Sequence, residues 1–82
     1  IGRQGINQFL DSFHLIDENY SQYLSELDLN PSSRLLCILY HIGKTDDEVM
    51  QILQYTLANI RVRKSRIKAD SGVESFDDLI TK

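Results

Sequence analysis

The sequence predicts an all-α fold, a small helical bundle. Three observations carry this. Apolar residues from Ile6 to Ile80 recur mostly at helical rather than strand spacing. Helix-starting residues stand ahead of the apolar runs, at Asp17, Asn30, Thr45, Thr56 and Ser75. No alternating segment of useful length argues for a strand.

The first five residues, IGRQG, hold two of the four glycines and are expected to be loose. Ile6, Phe9, Leu10 and Phe13 then fall on one helical face, and Ile16, Tyr20, Leu24 and Leu27 continue it. We read helices over roughly 5–13 and 16–27, with a break near His14; a single bent helix also fits. Asp17 is placed to cap the second helix.

Asn30-Pro31 is a boundary. Asn30 suits an N-cap, and Pro31 at the first helical position has no N–H to leave unpaired. The helix from Pro31 to Ile42 is apolar almost all round, through Leu35, Leu36, Cys37, Ile38, Leu39, Tyr40 and Ile42. Such a helix must be covered on more than one side. The N-terminal helices are expected on one side of it and the segment after Gly43 on the other. Gly43 suits the left-handed stop.

Thr45-Asp46-Asp47-Glu48 reads as a capping box. Its helix is expected to reach Leu53, with Val49, Ile52 and Leu53 inward. Gln54 and Tyr55 make a turn, and Thr56 caps a helix that runs to about Asp70. Ile60 and Ile67 mark its buried stripe, and Ser71-Gly72 ends it. Ser75 opens a last short helix with Phe76, Leu79 and Ile80 inward.

Composition narrows the possible roles. The chain has 82 residues, enough for one domain and a small core. A single cysteine, Cys37, excludes an internal disulfide and reads as a buried small hydrophobe. His14, Cys37 and His41 do not form a metal-binding pattern, and no catalytic motif surrounds Ser65 or Ser71. No cofactor or metal is expected, and no enzymatic role. No apolar run approaches a membrane span, so no membrane contact by this segment is expected. The chain opens on Ile1 rather than Met, so a fragment of a longer protein is expected.

Charge is unevenly placed. The net charge is −3, yet Arg61, Arg63, Lys64, Arg66 and Lys68 bring five of the nine basic residues into eight positions. With Ile60 and Ile67 turned inward, Ala58, Asn59, Arg61, Val62, Ser65, Arg66 and Ala69 face outward. A helix that reads a major groove needs this mixture of base-contacting and phosphate-binding side chains. Arg61 matches guanine, Asn59 adenine, and Val62 a thymine methyl. Lys64, Arg66 and Lys68 suit phosphates, with Arg63 at the core edge. The bland alternative is a solvated basic face, and the two-helix setting with its capped start weighs against that.

Residues Leu29 to Asp70 resemble the LuxR/NarL-type helix-turn-helix domain without a gap. Leu29-Asn30-Pro31 stands at the family's Leu-Thr-Pro, and Arg34 at its Arg-Glu arginine. Gly43 stands at the closing glycine, and Glu48-Val49 with Leu53 at the scaffold helix. Thr56, Ile60 and Ile67 stand at the cap and buried positions of the recognition helix. The run from Ile60 to Lys68, the Phe13…Tyr20…Leu24 helix and the Ser75–Leu79 tail are similar to the variant in Bacteroidetes-type transcriptional regulators. The resemblance covers roughly residues 9–82.

The resemblance implies residues 1–28 as a helical extension packed on a DNA-binding domain, residues 29–82, in one unit. It implies a cytoplasmic, sequence-specific DNA-binding module that acts as a homodimer on double-stranded DNA, at the C-terminal end of a longer protein with an upstream sensor segment and, in some relatives, a membrane segment. Positions matching Arg61, Val62 and Ser65 face bases in the family, and the last helix makes the dimer contact. Four residues depart from the pattern: Asp46 and Asp47, which oppose phosphate although they favour a helix N-terminus; Met50, at a close helix packing point; and Arg63, in place of a frequent His. The alternative is a degenerate helix-turn-helix used for dimerisation or protein interaction.

Overall fold

Asp17 divides the N-terminal helical stretch in this computed structural model, which describes residues 3–81, with side chains from residue 5 onward. Helix α1 spans Arg3–Ile16 and α2 Glu18–Ser25. The Asp17 carboxylate accepts the Tyr20 N–H at 3.1 Å, which starts α2 as expected of an N-cap. The break therefore falls at Asp17, three residues past His14. The loose start expected for residues 1–5 is helical from Arg3; residues 1–2 lie outside the described residues. A helix that packs Ile6 against the core needs the residues before it to complete its first turn.

Helix α3 (Pro31–His41) is the centre of the bundle. Its cap is the one expected: Asn30 Oδ1 accepts the Ser33 N–H at 2.9 Å, with Pro31 in the first turn. Leu35 through Leu39 are all buried. The N-terminal helix α1 lies against one side of α3, and α4 (Asp46–Leu53) and α6 (Phe76–Ile80) lie against others. Gly43, at φ 96°, ends α3. The Gly43 N–H donates to the Tyr40 carbonyl at 3.1 Å and the Lys44 N–H to that of Leu39 at 3.0 Å. This is a Schellman closure, and a side chain would strain its left-handed residue.

The capping box ahead of α4 forms. Thr45 Oγ accepts the Glu48 N–H at 3.3 Å, and Glu48 Oε1 accepts the Thr45 N–H at 3.1 Å. The turn to α5 (Leu57–Ser71) pivots on Gln54, at φ 58°. Gly72, again left-handed, closes α5, and Ser75 caps α6 by accepting the Asp78 N–H. Among the described residues, each of the six helices contributes to one core, from Phe13 in α1 to Leu79 in α6. The all-α expectation holds: the described residues contain no strand.

Two inward assignments are corrected. Ile16 is 81% exposed. It shares a helical face with Phe9, but stands at the very end of α1, past the covered part of that face. Ile52 is 40% exposed, while its neighbours Val49 and Leu53 are buried. An eight-residue helix packed by Val49 and Leu53 has little room for a third inward residue on an adjacent stripe. Among the described residues no helix is long and apolar enough to cross a membrane.

These burials give a first prediction. Ile67→Ala empties a fully covered site and should cost about 2–5 kcal/mol. Ile52→Ala should stay within about 0.5–1 kcal/mol of the parent. Urea denaturation of the two variants checks the ordering.

Candidate nucleic-acid interface

Helix α5 is the one most polar in sequence, and it buries two residues, Ile60 and Ile67. Thr56 Oγ accepts the Asn59 N–H at 3.1 Å and fixes its start. Helix α4 packs behind it and α6 beside it. Since one narrow stripe faces the core, the rest of the cylinder is left to solvent. Asn59, Arg61, Val62, Ser65, Arg66 and Lys68 are all exposed, as are Ala58 and Ala69. Val62, an apolar residue with no need of water, is 53% exposed. The outward face therefore carries the side chains assigned to it from sequence.

The two flanks of α5 differ. On one, Arg63 Nε donates to Asn59 Oδ1 at 2.5 Å, and its guanidinium lies over the Tyr55 ring at 4.1 Å from the centroid. Tyr55 is thus a platform for Arg63, and Asn59 is committed in part to its neighbour one turn on. Beyond them a polar groove of about 400 Å³ runs between the start of α3 and α5, lined by Asn30, Ser33, Asn59, Val62, Arg63, Arg66 and Asp70.

The other flank holds Lys64, which is half-buried rather than outward. Its Nζ lies 3.4 Å from Asp46 Oδ1, 4.1 Å from the Tyr40 ring centroid and 5.3 Å from that of Phe76. The Tyr40 hydroxyl donates to the same Asp46 oxygen at 2.5 Å. The Tyr40 hydrogen bond above all holds the Asp46 carboxyl below its usual range; burial opposes it, and Lys64 and Arg61 add smaller lowering effects. Burial, reinforced by Asp46, pushes the Tyr40 hydroxyl up. The amino group assigned to phosphate from sequence is therefore already facing an anion of its own chain. Arg61, Arg66 and Lys68 have no ion-pair partner among the described residues.

The His41 ring stacks on Tyr20 at 3.6 Å and 3°. Nδ1 lies 2.7 Å from the Ile80 carbonyl and Nε2 3.3 Å from Asp17 Oδ2, so the residue joins α2, α3 and α6. The Tyr20 hydroxyl donates to the Leu79 carbonyl nearby. These hydrogen bonds span 24 to 59 residues in sequence, so local spacing carries no sign of them. His14 lies 3.0 Å from Ser21 Oγ on the exposed surface, linking α1 to α2. Cys37 is fully buried and its thiol is pushed up to about 12 by burial, which removes its nucleophilic form at neutral pH. No three-residue metal-binding cluster exists among the described residues.

The Asp46 contacts give a pH prediction. A carboxyl lowered by folding adds stability above its ordinary value of 3.8, and that stability is lost as pH falls through the lowered one. Asp46 is half exposed, so Asp46→Asn should cost less than about 1 kcal/mol near neutral pH. Urea denaturation of parent and variant should show the gap closing in acid. Compared with known protein families, curated proteins and solved structures, the chain finds no match.

Proposed function

We propose that this chain binds duplex DNA by laying the outward face of α5 in the major groove, as the DNA-binding part of a transcriptional regulator. The observation that carries the reading is the exposed row Arg61, Val62 and Ser65 on a capped helix braced from behind by α4. Duplex recognition needs such a helix, presented rigidly and close to its N-terminal end. Arg61 addresses guanine and Val62 a thymine methyl, with Ser65 able to donate to or accept from a base edge. Arg66 and Lys68 hold phosphates on either side, and the groove beside Asn30 and Ser33 leaves room for the sugar–phosphate backbone. Asn59 reaches an adenine only by sharing its amide with Arg63. The acidic remainder of the chain repels phosphate elsewhere and so favours one orientation.

The resemblance to LuxR/NarL-type domains supports the same reading and adds a homodimer on paired half-sites, an upstream sensor segment and a cytoplasmic setting. The rival reading, a protein-interaction module, draws on Leu15 and Ile16, which are 87% and 81% exposed at the end of α1. Light scattering separates the two: a tight dimer without DNA affinity favours the rival.

Selection from a random duplex pool, followed by fluorescence anisotropy, tests the proposal. Two or three phosphate-neutralising cations give a slope of log affinity against log salt between about −1.8 and −2.7 per subunit. Arg61→Ala should lose about 1–3 kcal/mol of discrimination at one base pair. Lys68→Ala should weaken selected and unselected duplexes alike. Absence of binding at low salt, or equal losses from both variants on every sequence, contradicts the proposal.

A further inference from the structure

We infer that Asp46 is an internal stand-in for a DNA phosphate: it holds Lys64 against Tyr40 and keeps that lysine out of the DNA contact, so that this chain binds all duplexes more weakly than its basic helix allows. The inference rests on the DNA-binding reading above and concerns the same face. Three features of the flank lead to it. First, Lys64 Nζ is 3.4 Å from Asp46 Oδ1, and the same ammonium group lies over the rings of Tyr40 and Phe76. Second, the Tyr40 hydroxyl binds the same carboxylate oxygen, so Asp46 is fixed from two sides rather than free to swing away. Third, Asp46 is the first residue of α4, in the first turn after the Thr45 cap, where an anion is favoured by the helix dipole. An ammonium group and a helix start are elements of a phosphate site, and here the Asp46 carboxylate stands in the anion's place.

A phosphate approaching this flank must displace Asp46 or leave Lys64 where it is. Asp47, next in sequence and equally charged, makes no contact with Lys64 and serves as the control. Both aspartates repel DNA through their charge; only Asp46 also occupies a cation. The distinction is measurable, because a neutralised phosphate adds about 0.9 to the salt slope whereas distant charge does not add a contact.

The experiment uses the 82-residue chain and two fluorescein-labelled duplexes, one selected and one of mixed sequence, with anisotropy read across a salt series. Asp46→Asn should tighten both duplexes by the same factor and steepen the slope by about 0.9, so its advantage falls about threefold to fourfold when salt is raised fourfold. Asp47→Asn should leave the slope unchanged. Lys64→Gln should leave the parent's slope unchanged and remove the extra 0.9 or so in the Asp46→Asn background. Asp46 is exposed at a helix start, and asparagine still accepts the Tyr40 hydroxyl, so the variant retains the fold. If Lys64→Gln flattens the parent's slope, Lys64 is already on phosphate and the inference is overturned. Equal slopes for parent, Asp46→Asn and Asp47→Asn overturn it too, while DNA binding itself stands. If the parent binds neither duplex at low salt, the DNA-binding reading falls, and this inference with it.

Discussion

Two isoleucines, Ile60 and Ile67, are the buried residues of α5. The helix is fifteen residues long and polar over most of its circumference, so it cannot be held by wrapping. It is held instead at its ends and along one line. Thr56 fixes the start, Gly72 the close, and the isoleucine line rests on the core formed by α3, α4 and α6. Burial of each isoleucine contributes roughly 1.5–3 kcal/mol, enough to seat the helix but not to cover it. Everything on the opposite face is presented to whatever approaches. The remainder of the fold can be understood as support for that single contact line: α3 must be apolar all round because α1 covers one side while α4 and α6 need the others.

Electrostatics on this scaffold is divided by position rather than by count. Five cations sit within eight residues, yet they have three different surroundings. Arg61, Arg66 and Lys68 project into solvent. Arg63 lies across Tyr55 and Asn59, where its planar group stacks as well as donates. Lys64 lies across Tyr40 and faces Asp46. The aromatic residues at the helix flanks therefore decide which charges remain outward. Each of these two cations rests on a tyrosine, Arg63 on Tyr55 in the turn before α5 and Lys64 on Tyr40 in α3.

Local chemistry made much of this legible in the sequence. Asn30-Pro31, the Thr45–Glu48 box, Thr56, Gly43 and Gly72 each need only neighbouring residues to act, and each forms as read. The seven-residue spacing of Ile60 and Ile67 was enough to orient α5 and hence to name its exposed face. What escaped the sequence was set at long range or at an edge. Ile16 and Ile52 follow the apolar period, but coverage depends on how far a neighbouring helix extends, which period alone does not report. The His41–Tyr20–Ile80–Asp17 junction joins residues from three helices and one inter-helix cap. The charge of Lys64 suits a phosphate, but Asp46, eighteen residues away, faces it instead.

Backbone amide shifts of the labelled chain, recorded as the selected duplex is added, test the central claim most directly. The account predicts shifts concentrated at Arg61, Val62, Ser65, Arg66 and Ala69 and at the Asn30–Ser33 rim of the groove, with Leu15 and Ile16 unmoved. Shifts confined to the α1–α2 surface, or none on α5, would contradict it.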